Sequence, residues 1–326
     1  MSNDNSCRDI DKDLDRDICS DFGSDFDTDI GRDIGRDFGA ELQLCRRLVE
    51  ERLSRCFEGD AEYKTLLDSM RYSLLAGGKR IRAVICMKFC EAAGGSIEDA
   101  LDAACAIEML HAYSLIHDDL PCMDDDDLRR GLPSNHIKYG EFTATLAGDA
   151  LQAASFGTLL GSDLPPSAVV EMARELAKAA GPDGICGGQY LDLRGAGEAL
   201  SQGNLVEIND LKTAALISAS ARIGVIAAGG SPAQQDAADR YARAVGLAFQ
   251  IRDDLLDITS TDDELGKPAG SDSKSGKTTF ATLLGDQECE RVIREETESA
   301  IAALEGAFDD SRFHAWLAHE LSHRLS

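Results

Sequence analysis

The stretch from Ala104 to Gly131 constrains this chain more than any other, because it joins a long apolar run to six carboxylates within ten residues. Ala104 to Ile116 reads as a mostly buried helix. Asp118, Asp119, Asp124, Asp125, Asp126 and Asp127 follow it directly. Two carboxylates in close contact repel by about 4 kcal/mol at an effective dielectric of roughly 20, and the end of a buried helix is a costly place for them. A bound counter-charge is needed, and a hard divalent cation that prefers oxygen ligands supplies one. Arg129 and Arg130 come next. They add nothing to metal binding but suit a ligand that is itself anionic, a phosphate or diphosphate ester. Most acidic runs are solvated loops; the apolar approach to this one argues for a site.

A second acidic end lies at Asp253, Asp254 and Asp257, after the apolar residues Val245 to Phe249. Asp253 and Asp257 are one helical turn apart, with Asp254 alongside. Two such clusters on separate helices form facing walls of one cavity, bridged by metal and ligand. Cationic groups fit the same picture: Lys79, Arg80 and Arg82 beside the flexible pair Gly77-Gly78, then Lys212, Lys267 and Lys277. His111 lies two turns before Asp118 on the same face, where it either enters the cavity or packs as a core histidine.

From Glu41 onward the periodicity is helical, with apolar residues at three and four spacing and no convincing alternating strand. Paired glycines and prolines punctuate it as helix ends. Ten or more helices in one all-α domain, residues 41–326, is the simplest account. No paired glycine matches a dinucleotide-binding fingerprint. Residues 1–40 differ: an Asp recurs every fourth position from Asp9 to Asp37, each followed by Ile, Leu or Phe. A period of four drifts by about 40° per repeat on an α-helix, so no apolar stripe forms. A disordered acidic extension is expected, with calcium binding or a partner contact as the alternative.

The net charge of -26 opposes binding to nucleic acid or anionic membrane. No run of eighteen apolar residues suggests a membrane span, and the Asp-rich N-terminus is unlike a secretory signal. Ten cysteines without a CxxC are expected to be free thiols of a cytoplasmic protein.

Several motifs in order then resemble one family: GGKRIR (77–82), HAYSLIHDDLPCMDDDDLRRG (111–131), LAGDAL (146–151), GGQYLDL (187–193), Lys212-Thr213, and FQIRDDLLD (249–257) followed by LGKPAGSD (265–272). Over about residues 41–326 the chain resembles the short-chain trans-prenyl diphosphate synthases, most closely the bacterial farnesyl diphosphate synthases. The resemblance implies an all-α bundle around a deep cavity, normally a homodimer. It makes Asp118, Asp119 and Asp124 the first aspartate motif and Asp253, Asp254 and Asp257 the second, together holding three Mg²⁺, with Mn²⁺ as a possible substitute. Arg129, Lys212, Lys267 and Lys277 match positions that grip the allylic diphosphate. Lys79, Arg82, His111 and Arg130 match the isopentenyl diphosphate pocket, and Thr213, Gln189 and Gln250 match polar positions near the reacting carbons.

The implied reaction breaks the allylic carbon–oxygen bond, lets the double bond of isopentenyl diphosphate attack the cation, and loses a proton to the departing diphosphate. Metal and basic groups stabilise the anion, while a water-poor cavity protects the cation. Tyr113 and Ser114, five and four residues before Asp118, stand where the family limits product length. Tyr113 as a floor predicts farnesyl diphosphate; geranylgeranyl diphosphate is the alternative, and a metal-dependent phosphohydrolase a remote one. There are departures. Ala83 replaces a frequent Pro, Leu132 a common Lys, and Phe280-Ala281 a Tyr-Pro pair.

Overall fold

The computed structural model describes residues 36–259 and 278–323. Lys267 and Lys277 therefore lie outside the described residues, as does the Asp repeat up to residue 35. The fold is all-α. Its helices are α1 (Phe38–Ser54), α2 (Lys64–Leu74), α3 (Ile81–Ala92), α4 (Leu101–Asp118), α5 (Asn135–Tyr139), α6 (Glu141–Leu160), α7 (Pro166–Ala180) and α8 (Ile185–Arg194). After these come α9 (Gln202–Asn209), a π-helical turn (Asp210–Ala214), α10 (Ala215–Ala227), α11 (Pro232–Thr259), α12 (Phe280–Leu284), α13 (Asp286–Ala303) and α14 (Arg312–His323).

Among the described residues one β element interrupts the helices, although sequence periodicity gave no strand. It pairs β1 (Leu128–Arg129) with β2 (Leu132–Pro133), Leu128 opposite Pro133 and Arg129 opposite Leu132. The two linking residues, Arg130 and Gly131, have φ of 54° and 72°, the left-handed pair that a two-residue hairpin turn requires. This hairpin aims the two arginines that follow the acidic run.

The apolar run of the sequence is α4, buried on nearly every side from Ala103 to Ile116. A helix apolar all round must be surrounded, and α4 packs on α6, α3, α10, α1 and α2. Around it lies the main core, from Phe38 to Leu321. A smaller cluster, Leu205, Ala248, Ile251, Leu255, Phe280, Ala281, Cys289 and Ile293, supports the acidic end of α11. Both acidic ends are thus anchored on apolar packing, which holds charged groups where solvent alone would not.

The described fold starts ahead of Glu41. Asp37, the last Asp of the repeat, caps α1 by accepting from the Ala40 backbone N–H at 3.0 Å. Phe38 is buried against Phe313 and Trp316, and Arg36 bonds Glu41 at 2.7 Å and Asp310 at 2.6 Å. The final tetrad therefore docks on α14 and the loop before it.

Candidate active site

Asp118 ends α4 and Asp119 is its C-cap. The following loop folds back, with the Asp124 backbone N–H donating to the Asp118 carbonyl at 2.8 Å and that of Asp125 to Leu120 at 3.2 Å. Burial pushes the Asp118 carboxyl up to about 6; Lys212 works against that rise and Asp124 adds to it. Asp119 is also raised by burial, though Arg129 opposes it through a hydrogen bond. Arg129 Nε reaches Asp119 Oδ1 at 2.9 Å and Arg129 Nη2 reaches Asp126 Oδ2 at 3.1 Å. The residue expected on the allylic diphosphate is thus engaged by two carboxylates of the acidic run.

The second wall is the end of α11. Asp254 is buried and accepts from Gln250 Nε2 at 2.9 Å and from the Phe280 backbone N–H at 2.8 Å. Gln250 Oε1 in turn accepts from Thr213 Oγ1 at 3.2 Å. Asp257 is buried and Asp253 half-buried. Arg252, just before Asp253 in sequence, faces away to Glu290 and the Ser322 carbonyl. Thr213 and Lys212 sit on the π-helical turn, a local widening that recurs at functional sites. Lys212 Nζ pairs with Asp192 Oδ2 at 2.6 Å. Lys212 also opposes the rise of Asp118, and its neighbour Thr213 bonds Gln250 on α11, so the π-helical turn faces both acidic ends. Gln189, one turn before Asp192 on α8, is 4% exposed, and neither of its amide atoms has a partner among the described residues. Buried amides are nearly always satisfied, so this one fits a site that a ligand completes.

The basic pocket is built on Gly77 and Gly78, with φ of 81° and 116°. The Gly77 carbonyl accepts from Arg130 Nη1 and that of Gly78 from Arg46 Nη2, the latter at 3.2 Å. A side chain at Gly78 would meet the Arg130 guanidinium. Arg82 Nη1 lies 3.4 Å from His111 Nε2. Burial holds His111 well below its ordinary range, with Arg82 and Arg130 pushing the same way. Because a guanidinium can only donate, the His111 Nε2 that faces it is the acceptor. Lys79, half-buried, joins the pocket through the same glycine turn.

Tyr113 is buried, its hydroxyl 3.5 Å from the Ala180 carbonyl and 3.7 Å from Cys186 Sγ. It spans from α4 to the α7–α8 junction. Ser114 turns its hydroxyl onto the His111 carbonyl of its own helix at 2.9 Å. Sequence reasoning missed two participants: Asp192, present in GGQYLDL as the obvious acid, and Arg46, which nothing in α1 marks out.

With this geometry in place, comparison with known proteins decides the relationship. A model of the polyprenyl synthetase family matches residues 63–311. The chain belongs to the polyprenyl synthetase family. It is 47% identical over 248 residues to the chloroplastic geranylgeranyl pyrophosphate synthase of Capsicum annuum, covering 75% of this chain and 67% of that protein. It is 46% identical over 256 residues to geranylgeranyl pyrophosphate synthase 3, chloroplastic, of Arabidopsis thaliana, covering 76% and 70%. A solved apo structure of an FPP/GFPP synthase from Zymomonas mobilis matches with TM-score 0.77 at 32% identity, covering 86% of this chain and 97% of that one. The geranylgeranyl pyrophosphate synthetase of Geoglobus acetivorans matches with TM-score 0.76 at 31% identity, covering 88% and 99%. The chain is accordingly a prenyl diphosphate synthase, a prenyltransferase.

The family implies Mg²⁺, and the donor set fits it. Every candidate ligand is a hard carboxylate oxygen, and the raised Asp118 is a carboxyl that a nearby cation would relieve. Among the described residues no three His, Cys, Asp or Glu form a self-sufficient cage.

Proposed function

We propose that the enzyme adds isopentenyl diphosphate to an allylic diphosphate until geranylgeranyl diphosphate is made. What carries this choice of product is that the chloroplastic synthases at 46–47% identity bear geranylgeranyl names; it replaces the farnesyl expectation drawn from Tyr113. Asp118, Asp119 and Asp124 on one wall and Asp253, Asp254 and Asp257 on the other would hold Mg²⁺. When bound, the metal supplies positive charge to the departing diphosphate. Lys212, steadied by Asp192, and Arg129 hold the allylic diphosphate; Lys79, Arg82, His111 and Arg130 hold isopentenyl diphosphate. Thr213, Gln250 and Gln189 turn oxygen dipoles toward the developing cation, inside an apolar wall that excludes water.

Farnesyl diphosphate is the second reading, supported by the buried Tyr113 between α4 and the α7–α8 junction. Chain length of the product from isopentenyl and geranyl diphosphates, read by mass spectrometry, separates the two. Twenty carbons are expected. Arrest at fifteen, relieved in Tyr113→Ala, would make Tyr113 the stop.

A homodimer completes the reading. On α6, Phe142 and Leu146 lie one turn apart and Leu160 ends the helix; all three are exposed, Phe142 at 77%, an apolar stripe suited to a second copy. No described helix is long and apolar enough to cross a membrane. The described cysteines are all free thiols, which supports a reducing compartment, the cytoplasm or a plastid of the kind the plant relatives' names indicate.

A further inference from the structure

Glu108 stands three residues before His111 on α4, and it is 2% exposed. Its Oε2 accepts from Arg80 Nη1 at 3.1 Å, and its Oε1 accepts from the Ala83 backbone N–H at 3.3 Å. Arg80 stands between Lys79 and Arg82 in the sequence, yet it does not face the pocket. Its side chain is 3% exposed, and its Nη2 donates to the Leu74 carbonyl at 2.7 Å. Its backbone has φ of 52°, a left-handed conformation uncommon outside glycine. The buried pair with Glu108 at 3.1 Å is the close ionic brace that holds it there, with Glu50 Oε1 farther off at 3.8 Å from Arg80 Nε.

The consequence falls on the neighbours of Arg80. The left-handed turn ends the glycine loop and starts α3, which sets Lys79 on one side and Arg82 on the other. Glu108 and His111, one turn apart on α4, meet Arg80 and Arg82 respectively, so α4 fixes the start of α3 through two successive pairs. The Ala83 contact is a feature of this chain: the Pro frequent there in the family has no N–H to donate. Glu108 also opposes the crowding of like charges. Burial pushes Arg130 down to about 10, Arg80 adds to that, and Glu108 counters it.

We propose that Glu108 is a positioning residue for the isopentenyl diphosphate pocket, acting through Arg80 to hold Lys79 and Arg82 in place; this rests on the pocket assignment above. Glu108→Gln keeps the size and one acceptor but removes the charge. Initial rates with each substrate varied in turn, and calorimetric binding of isopentenyl diphosphate, test it. The expected result is at least a tenfold rise in KM and Kd for isopentenyl diphosphate, with less than a twofold change in KM for the allylic substrate.

The double variant Arg80→Met with Glu108→Leu guards against misfolding, since replacing both buried charges by apolar groups is often well tolerated. If it melts like the wild type and still binds isopentenyl diphosphate tenfold more weakly, the pair positions the pocket. Unchanged binding in either folded variant, or equal losses for both substrates, would overturn the proposal. A wild type that binds isopentenyl diphosphate but does not condense it would count against the proposed function alone, and the binding ratio would still judge Glu108.

Discussion

Asp118 and Asp253 lie at the ends of helices far apart in sequence, and both of those ends rest on apolar packing. Their removal should therefore spare the fold while disabling the chemistry. Asp118→Ala and Asp253→Ala are each expected to lower turnover on the order of a thousandfold or more, with circular dichroism and melting unchanged. Near-normal turnover in either would sink the two-wall assignment. His314 makes a different prediction. It is buried against Phe89, 4.0 Å between ring centroids, and neither ring nitrogen has a partner among the described residues. Burial, and then Lys88, bring it from 6.5 down to about 3. An unfolded histidine takes up a proton first as pH falls, so stability is full above about 6.5 and is lost progressively toward 3. At pH 5 the loss from this group is about 2 kcal/mol. His314→Phe should remove it, narrowing the gap between urea midpoints at pH 7 and pH 5; an unchanged gap would refute the assignment.

Among the elements, the π-helical turn and α8 determine where Lys212 stands. Gly188 packs so closely that a Cβ there would lie 2.6 Å from the Lys212 Cα. Gly188→Ala should push the turn outward, separate Lys212 from Asp192, and reduce turnover by tenfold or more with the allylic KM raised. Wild-type kinetics would mean the turn is positioned from elsewhere. The sequence showed both acidic helix ends, because an apolar periodicity running into charge is visible at any scale. It did not show the π turn, which no local residue preference encodes. Nor did it show the Leu128–Pro133 hairpin, whose two-residue strands are too short for an alternation. Arg46 stayed hidden because an arginine on an amphipathic helix looks the same whether it meets solvent or the Gly78 carbonyl.

Across the whole molecule, the order of motifs revealed an all-α synthase, since those spacings make sense only when distant helix ends converge. Product length was less legible. The packing of Tyr113 against the α7–α8 junction is a tertiary fact that a five-residue spacing from Asp118 cannot supply. The start of the fold was blurred for a similar reason: a drifting period of four conceals that its last tetrad, Asp37-Phe38, docks on α14. The most direct measurement supplies the purified enzyme with isopentenyl diphosphate and farnesyl diphosphate and weighs the product. The expected result is a twenty-carbon diphosphate formed with Mg²⁺ and abolished by chelation. No condensation with farnesyl, geranyl or dimethylallyl diphosphate in the presence of Mg²⁺ would contradict the account.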